Sequence, residues 1–184
     1  MNKLLLIQGD LAAGKSTFAG ILAKRYGTSA FCKDTIKEVL GNTIGFSNRE
    51  ENKRLSAAAV ELMAFMLSEF GKLGKDLILE ANFHTDELDA LHRIAEKYRY
   101  EVLTIVLRAD VRILHERYLH RMHHESRHPV HLSIALDAPE NFERCIEFLR
   151  SESVPGKTIV INADDFSYQT DTEILCRIDH FMNA

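Results

Sequence analysis

Residues 9–16 read Gly-Asp-Leu-Ala-Ala-Gly-Lys-Ser, and they directly follow the apolar run Leu4-Leu5-Leu6-Ile7. The pattern is G-x-x-x-x-G-K-[ST], set between a strand and a helix as a phosphate-binding loop (P-loop) requires. Its glycines let successive N–H groups face one anion, and the next helix directs its positive end to the same point. The stretch predicts a nucleoside triphosphate site formed by Gly9, Asp10, Leu11, Ala12, Ala13, Gly14, Lys15, Ser16 and Thr17.

Two side chains of this loop have predicted chemical roles. The Lys15 ammonium can reach the outer phosphates, where it would stabilise the charge of a transferring phosphoryl group. The Ser16 hydroxyl is a predicted ligand of Mg²⁺. The guanine-selecting pattern N-K-x-D does not occur in the chain. ATP is therefore the expected nucleotide, and a Ras-like GTPase is disfavoured.

Length and composition indicate one globular domain over residues 1–184, with 46% hydrophobic and 27% charged residues. The formal net charge of −4 gives no reason to expect a nucleic-acid-binding protein, since these carry a basic face. The three cysteines are widely spaced and indicate neither a disulfide framework nor a C-x-x-C metal site. No segment approaches the roughly 20 apolar residues of a membrane span. We therefore expect a cytoplasmic protein that does not bind membranes.

Apolar runs alternate with helical patterns along the chain, which predicts an α/β fold with a parallel sheet covered on both faces. One long helix is expected over residues 48–73, with Ser47 as its N-cap and Glu50 completing a capping box. The predicted strands cover residues 4–8, 29–32, 76–80, 101–107 and 158–161. The other predicted helices cover residues 15–26, 34–40, 86–98, 110–123, 139–151 and 171–182.

Ligands of such sheets bind beyond the carboxyl ends of the strands, so the residues that follow each strand are the candidates for the site. Asp34 follows the second strand and is a candidate base for an attacking hydroxyl, although it could also serve only as a helix N-cap. Lys37, one turn later, is a candidate substrate ligand. Glu80 ends the third strand, where it could hold Mg²⁺, bind the substrate hydroxyl or act as the base. Asn82 is a weaker candidate for contact with the acceptor.

An Arg- and His-rich stretch follows the fourth strand and predicts a basic lid over approximately residues 117–138. Arg117 and Arg121 are four residues apart, so they share a helix face and could both clamp the transferring phosphoryl group. Arg121 is also a candidate nucleotide ligand, and Arg127 a candidate substrate ligand. A solvated basic helix is the alternative, and a histidine metal site is a weaker one.

The pattern resembles the small P-loop kinases that include chloramphenicol phosphotransferase, gluconate kinase, the zeta toxins and the kinase domain of polynucleotide kinase. The resemblance rests on residues 9–17, Lys33-Asp34-x-x-Lys37, Leu79-Glu80-x-Asn82-Phe83, Arg117-x-x-x-Arg121 and Arg127-His128-Pro129. It implies a three-layer α/β/α sandwich, with a five-stranded parallel sheet of order 2-3-1-4-5 and a lid between strands 4 and 5. It also implies that Asp34 is the base and that Arg117 and Arg121 are lid arginines.

The expected activity is the ATP- and Mg²⁺-dependent transfer of a γ-phosphate to a hydroxyl of a small-molecule acceptor. Two alternatives remain open at this point. One is a kinase that acts on a nucleic-acid 5′-hydroxyl or a sugar nucleotide. The other is an ATP-binding NTPase or regulatory module.

Overall fold

A computed structural model describes residues 1–125, 127–131 and 136–184 of the chain. The strands are β1 (Asn2–Gly9), β2 (Ser29–Cys32), β3 (Leu77–Glu80), β4 (Tyr100–Arg108) and β5 (Thr158–Asn162). The helices are α1 (Lys15–Tyr26), α2 (Lys33–Ile44), α3 (Arg49–Lys72), α4 (Thr85–Lys97), α5 (Val111–His124), α6 (Pro139–Ser151) and α7 (Thr172–Asn183). Short 3₁₀ helices lie at Pro129–His131 and Ser167–Gln169.

The strands form one parallel sheet in the order β2-β3-β1-β4-β5, which confirms the expected order. Because all strands run the same way, their carboxyl ends meet at one edge of the sheet. The register places Ile7 of β1 beside Glu80 of β3, and Gly9 beside Leu107 of β4. The P-loop therefore leaves the sheet between the ends of β3 and β4.

Alternate residues of β1 supply the two apolar layers of the molecule. Leu5 and Ile7 pack with residues of α1, α5, α6 and α7 on one face of the sheet. Leu4 and Leu6 pack with residues of α3 and α4 on the other face. Both faces are therefore covered, as the apolar strands predict. Within the described residues, every helix is too short or too polar to cross a membrane.

Two helix boundaries near the site differ from the sequence-based predictions. The N-cap of α3 is Asn48, whose side chain accepts from the Glu51 N–H at 2.9 Å, so the prediction of Ser47 was wrong by one residue. The Glu51 carboxylate accepts from the Ser47 N–H at 2.6 Å, so Glu51 takes the capping role that was predicted for Glu50. Helix α2 extends to Ile44 through Gly41, where a Cβ would lie 2.5 Å from the Val130 side chain of the lid stretch.

Candidate active site

Two glycines give the P-loop its shape. Gly9 has φ +127°, and a Cβ there would lie 2.1 Å from the carbonyl oxygen of Leu107. Gly14 has φ +88° and precedes α1, so its conformation is one that side chains disfavour. The loop thus curls tightly against β4 and delivers its backbone to the start of α1.

Lys15 lies inside this curl. Its ammonium donates hydrogen bonds to the carbonyl oxygens of Asp10 at 2.7 Å and Gly9 at 3.2 Å. Burial lowers the pKa of Lys15, and the negative charges of Glu80, Asp34 and Asp10 oppose that shift. The charges of these three carboxylates thus act on the ammonium that the P-loop motif predicts to bind the phosphates.

Ser16 and Glu80 meet at the end of β3. The Ser16 hydroxyl donates to Oε2 of Glu80 at 2.8 Å, and the Glu80 side chain is buried. Burial raises the pKa of the neighbouring Cys32 thiol to about 12, with the Glu80 carboxylate adding to the shift. Two adjacent hard oxygen donors suit Mg²⁺, which usually keeps several waters and takes its other ligands from phosphates. The residues present therefore fit the predicted metal ion.

Asp34 stands in the first turn of α2, and 64% of its side chain is exposed. The N-cap of α2 is Cys32, so Asp34 is not the capping residue. This exposure makes the Asp34 carboxylate accessible to an acceptor molecule. Its negative charge also acts on Lys15, where it opposes the lowering of the pKa by burial. Its role as the base stays a prediction.

Lys37 faces the lid stretch. Its ammonium donates to the carbonyl oxygen of Val130 at 3.1 Å, and the side-chain amide of Asn52 donates to the same oxygen at 3.0 Å. Burial lowers the pKa of Lys37, and the Asp34 charge opposes this shift. Asn52 is a buried α3 residue that the sequence did not single out. The predicted substrate contact of Lys37 stays a prediction.

Residues 128–131 of the lid stretch are docked on α2. The His128 Nε2 atom lies 3.0 Å from the side-chain oxygen of Asn42. The His131 Nε2 atom lies 2.7 Å from Oε1 of Glu38. Residues 126 and 132–135 of the predicted lid lie outside the described residues.

The two lid arginines occupy different places. The guanidinium of Arg117 donates to the carbonyl oxygens of Ala163 and Asp164, both at 2.7 Å, and lies 4.2 Å from the ring centre of Phe166. Arg121 instead pairs with Glu125 of the lid stretch, with its Nε atom 3.3 Å from Oε2. The predicted contact of both arginines with a transferring phosphoryl group stays a prediction, although the structure does not place them side by side.

The remaining predicted ligands lie at the margins of the loop. The side-chain oxygen of Asn82 is buried and has no hydrogen-bond partner among the described residues. Asn82 lines a cleft together with Asp10 and Arg150. Arg127 lies close enough to Tyr118 for its charge to oppose the raised pKa of that phenol. Neither contact tests the predicted binding of substrate.

Sequence reasoning missed two supports of the P-loop. The guanidinium of Arg150 in α6 forms two hydrogen bonds to the buried carboxylate of Asp10, at 2.6 and 3.1 Å. The Tyr168 hydroxyl donates to the carbonyl oxygen of Ala13 at 2.9 Å. No local motif marks either residue, since each acts on a partner far away in the sequence.

A family model described as an AAA domain matches residues 4–145. No curated protein matches the sequence significantly. A candidate kinase from Chloroflexus aurantiacus j-10-fl is similar in structure, with a TM-score of 0.81, 24% identity and 98% of each chain covered.

Two other solved structures share the fold at lower identity. A gluconokinase from Sinorhizobium meliloti 1021 has a TM-score of 0.64 and 13% identity, with 99% of this chain and 94% of that one covered. The APS kinase of Mycobacterium tuberculosis, solved with AMPPNP and APS, has a TM-score of 0.62 and 13% identity, with coverage of 97% and 98%. The chain therefore has the fold of these proteins over almost its whole length.

Proposed function

We propose that this chain, which belongs to the AAA domain family, is a kinase that transfers the γ-phosphate of ATP to a hydroxyl group of a small molecule. The observation that carries the proposal is the position of Asp34, an exposed carboxylate that follows β2 at the edge of the sheet where the P-loop leaves β1. A carboxylate in this position can accept the proton of an acceptor hydroxyl or of water, so the product of the transfer distinguishes a kinase from a hydrolase. The kinases that share the fold support this choice.

The donor half of the reaction belongs to the P-loop. Its backbone N–H groups and the start of α1 hold the phosphates, and Lys15 neutralises charge on them. Ser16 and Glu80 would hold Mg²⁺, which supplies further positive charge to the phosphate oxygens. Arg121 approaches from α5 and stabilises the transferring group. These contributions are electrostatic, which is most of what phosphoryl transfer requires.

The acceptor half of the reaction is assigned to Asp34. Its carboxylate accepts the proton of the acceptor hydroxyl as the new oxygen–phosphorus bond forms and the bond to the leaving nucleotide breaks. Its place in the first turn of α2 fixes its backbone at the end of β2. The side chain keeps access to solvent, and therefore to the acceptor.

The binding of the nucleobase, in place of the predicted contact with the phosphoryl group, is assigned to Arg117 and the residues that follow β5. The carbonyl groups of Ala163 and Asp164 hold the guanidinium 4.2 Å from the ring centre of Phe166. Phe166 also lies beside Gly14 of the P-loop. A planar cation fixed next to the phosphate loop is suited to stack on a nucleobase.

The experiment uses ATP labelled at its γ-phosphate and a panel of small hydroxyl compounds, with sugars, sugar acids and amino alcohols included. A labelled organic product is expected, and Asp34→Asn should lower its rate of formation at least about 100-fold with nearly unchanged ATP affinity. Asp86→Asn is the matched control, because Asp86 stands in the first turn of α4 and is exposed.

Three outcomes would contradict the proposal. Labelled inorganic phosphate as the sole product would identify an NTPase. Full activity of Asp34→Asn would remove Asp34 from the reaction. Labelling of an oligonucleotide 5′-end with a steep dependence on salt would identify a nucleic acid as the acceptor.

A further inference from the structure

The imidazole of His131 lies between two carboxylates of α2. Its Nε2 atom is 2.7 Å from Oε1 of Glu38, and its Nδ1 atom is 3.9 Å from Oδ1 of Asp34. Only 9% of the His131 side chain is exposed, although both carboxylates face solvent to a large extent. A buried ring therefore reaches the carboxylate that was assigned as the base.

The segment that carries this ring is fixed in several ways. The carbonyl oxygen of Val130 accepts from both Lys37 and Asn52, and the Val130 side chain fits against Gly41 without room for a Cβ there. The backbone N–H of Val130 donates to Nδ1 of His128 at 3.2 Å. These contacts fix the backbone just before His131, so the ring has little freedom to turn away from α2.

The ring of His131 has a carboxylate near each of its two nitrogens. Asp34 and Glu38 face it from α2, and the Lys37 ammonium binds the carbonyl group just before it. The His128 ring, 6.4 Å away between centroids, is the titratable neighbour on its own segment. An imidazole protonated at both nitrogens donates on both sides, so it can serve both carboxylates at once.

We propose that His131 is a positioning residue for the base Asp34, delivered to the site by the docking of residues 127–131 on α2. The inference rests on the proposed function, because it assumes that Asp34 receives the acceptor proton. Glu38 holds Nε2, so that Nδ1 faces Asp34 across 3.9 Å, an ion-pair distance longer than a hydrogen bond, and limits where that carboxylate can lie. The base is then in place only while the lid segment is docked.

The link can be tested without an acceptor by nuclear magnetic resonance of the histidine ring nitrogens in the full-length protein. His131→Gln assigns the His131 signals by removing them. Asp34→Asn should shift the Nδ1 signal more than the Nε2 signal, and Glu38→Gln should shift Nε2 more than Nδ1. Equal shifts, or no shift of Nδ1 in Asp34→Asn, would overturn the inference whatever the enzyme activity.

A kinetic test uses transfer to water, the smallest acceptor with a hydroxyl, measured as phosphate release at saturating ATP and Mg²⁺. Asn places its amide nitrogen near the Nδ1 position of a histidine, whereas Gln places its own near Nε2. His131→Gln should therefore lower kcat about 10–100-fold with KM for ATP unchanged within about twofold, and His131→Asn should recover most of that loss. His128→Gln is the control for docking, since it removes the bond to Asn42 and the acceptor of the Val130 N–H but no contact with a carboxylate.

The outcomes separate the two proposals. Equal losses in all three histidine variants, or a change in KM rather than kcat, would show that docking alone matters and would overturn the role of His131. A normal rate in Asp34→Asn would instead refute the assigned base. If His131→Gln does not melt cooperatively, Glu38→Gln replaces it, and an unchanged kcat in that variant would count against the inference.

Discussion

Replacement of Arg150 by methionine tests whether a side chain of α6 holds the P-loop in shape. The Asp10 carboxylate is 1% exposed and accepts two hydrogen bonds from Arg150 and one from the Ala109 N–H. In Arg150→Met the carboxylate stays buried and keeps only the backbone donor. An uncompensated charge of this kind is strongly destabilising.

The size of the effect follows from the burial of the two partners. Removal of one partner of a fully buried pair costs about 3–5 kcal/mol. Because 32% of the Arg150 side chain is exposed, water can solvate part of the space that it leaves. We therefore expect a loss of about 2–3 kcal/mol, discounted from the fully buried case. For a chain of 184 residues this lowers Tm by about 5–10 °C.

The assay is thermal unfolding followed by circular dichroism, together with calorimetric titration of ATP. Arg144→Met is the matched control, because Arg144 lies on the same helix, is exposed and binds only groups of α6 itself. The double variant Asp10→Asn/Arg150→Met removes the unpaired charge and should recover about half of the lost stability. A Tm for Arg150→Met within about 2 °C of that of Arg144→Met would refute the reasoning.

Three other changes have expected outcomes. Gly9→Ala should abolish the binding of ATP measured by calorimetry, because its Cβ would lie 2.1 Å from a backbone oxygen of β4. Gly20→Ala places no atom within 4 Å of the added carbon, so it should raise the stability of α1 by about 0.5–1 kcal/mol. Hydrogen bonds from Thr85 and from the imidazole of His84 lower the pKa of Glu152 to about 2 from its ordinary 4.5. A carboxyl whose pKa is lowered in the folded protein stabilises the fold at pH values above its pKa in the unfolded chain. Glu152→Gln should therefore lower Tm at pH 7, and this loss of Tm should shrink as the pH falls from 4.5 towards 2. Arg117→Leu should weaken the binding of ATP about tenfold and that of tripolyphosphate less than about threefold, because the contacts with the nucleobase are removed. Equal losses for both ligands would contradict the assigned site of the nucleobase.

The sheet and the P-loop could be predicted because their determinants are local. Five apolar runs marked the strands, and the motif of residues 9–16 stood between a strand and a helix. The meeting of Ser16 and Glu80 also followed, since Glu80 ends β3 and the P-loop that leads to Ser16 follows the end of the neighbouring strand β1. Parallel strands bring such ends together whatever the sequences between them.

The rest depended on contacts that no local pattern encodes. Ser47 and Asn48 are both good N-caps, and each has a glutamate three residues later, so the sequence did not distinguish the two frames. The spacing of Arg117 and Arg121 places them on one helix face, but it does not show that carbonyl groups beyond β5 hold the first of them. Its partners became visible only once β4 and β5 were neighbours in the sheet.

The supports of the P-loop also bear on the order in which a newly made chain becomes competent. Residues 9–16 are made before the residues that hold them, because Arg150 follows Asp10 by 140 residues and Tyr168 follows Ala13 by 155. Contacts over such separations form late, because the intervening chain must first be closed into a loop. A nascent chain that ends before α6 therefore contains the whole nucleotide motif but lacks both of the side chains that hold it. Nucleotide capture should thus follow the synthesis of Arg150 and Tyr168 rather than that of the motif itself.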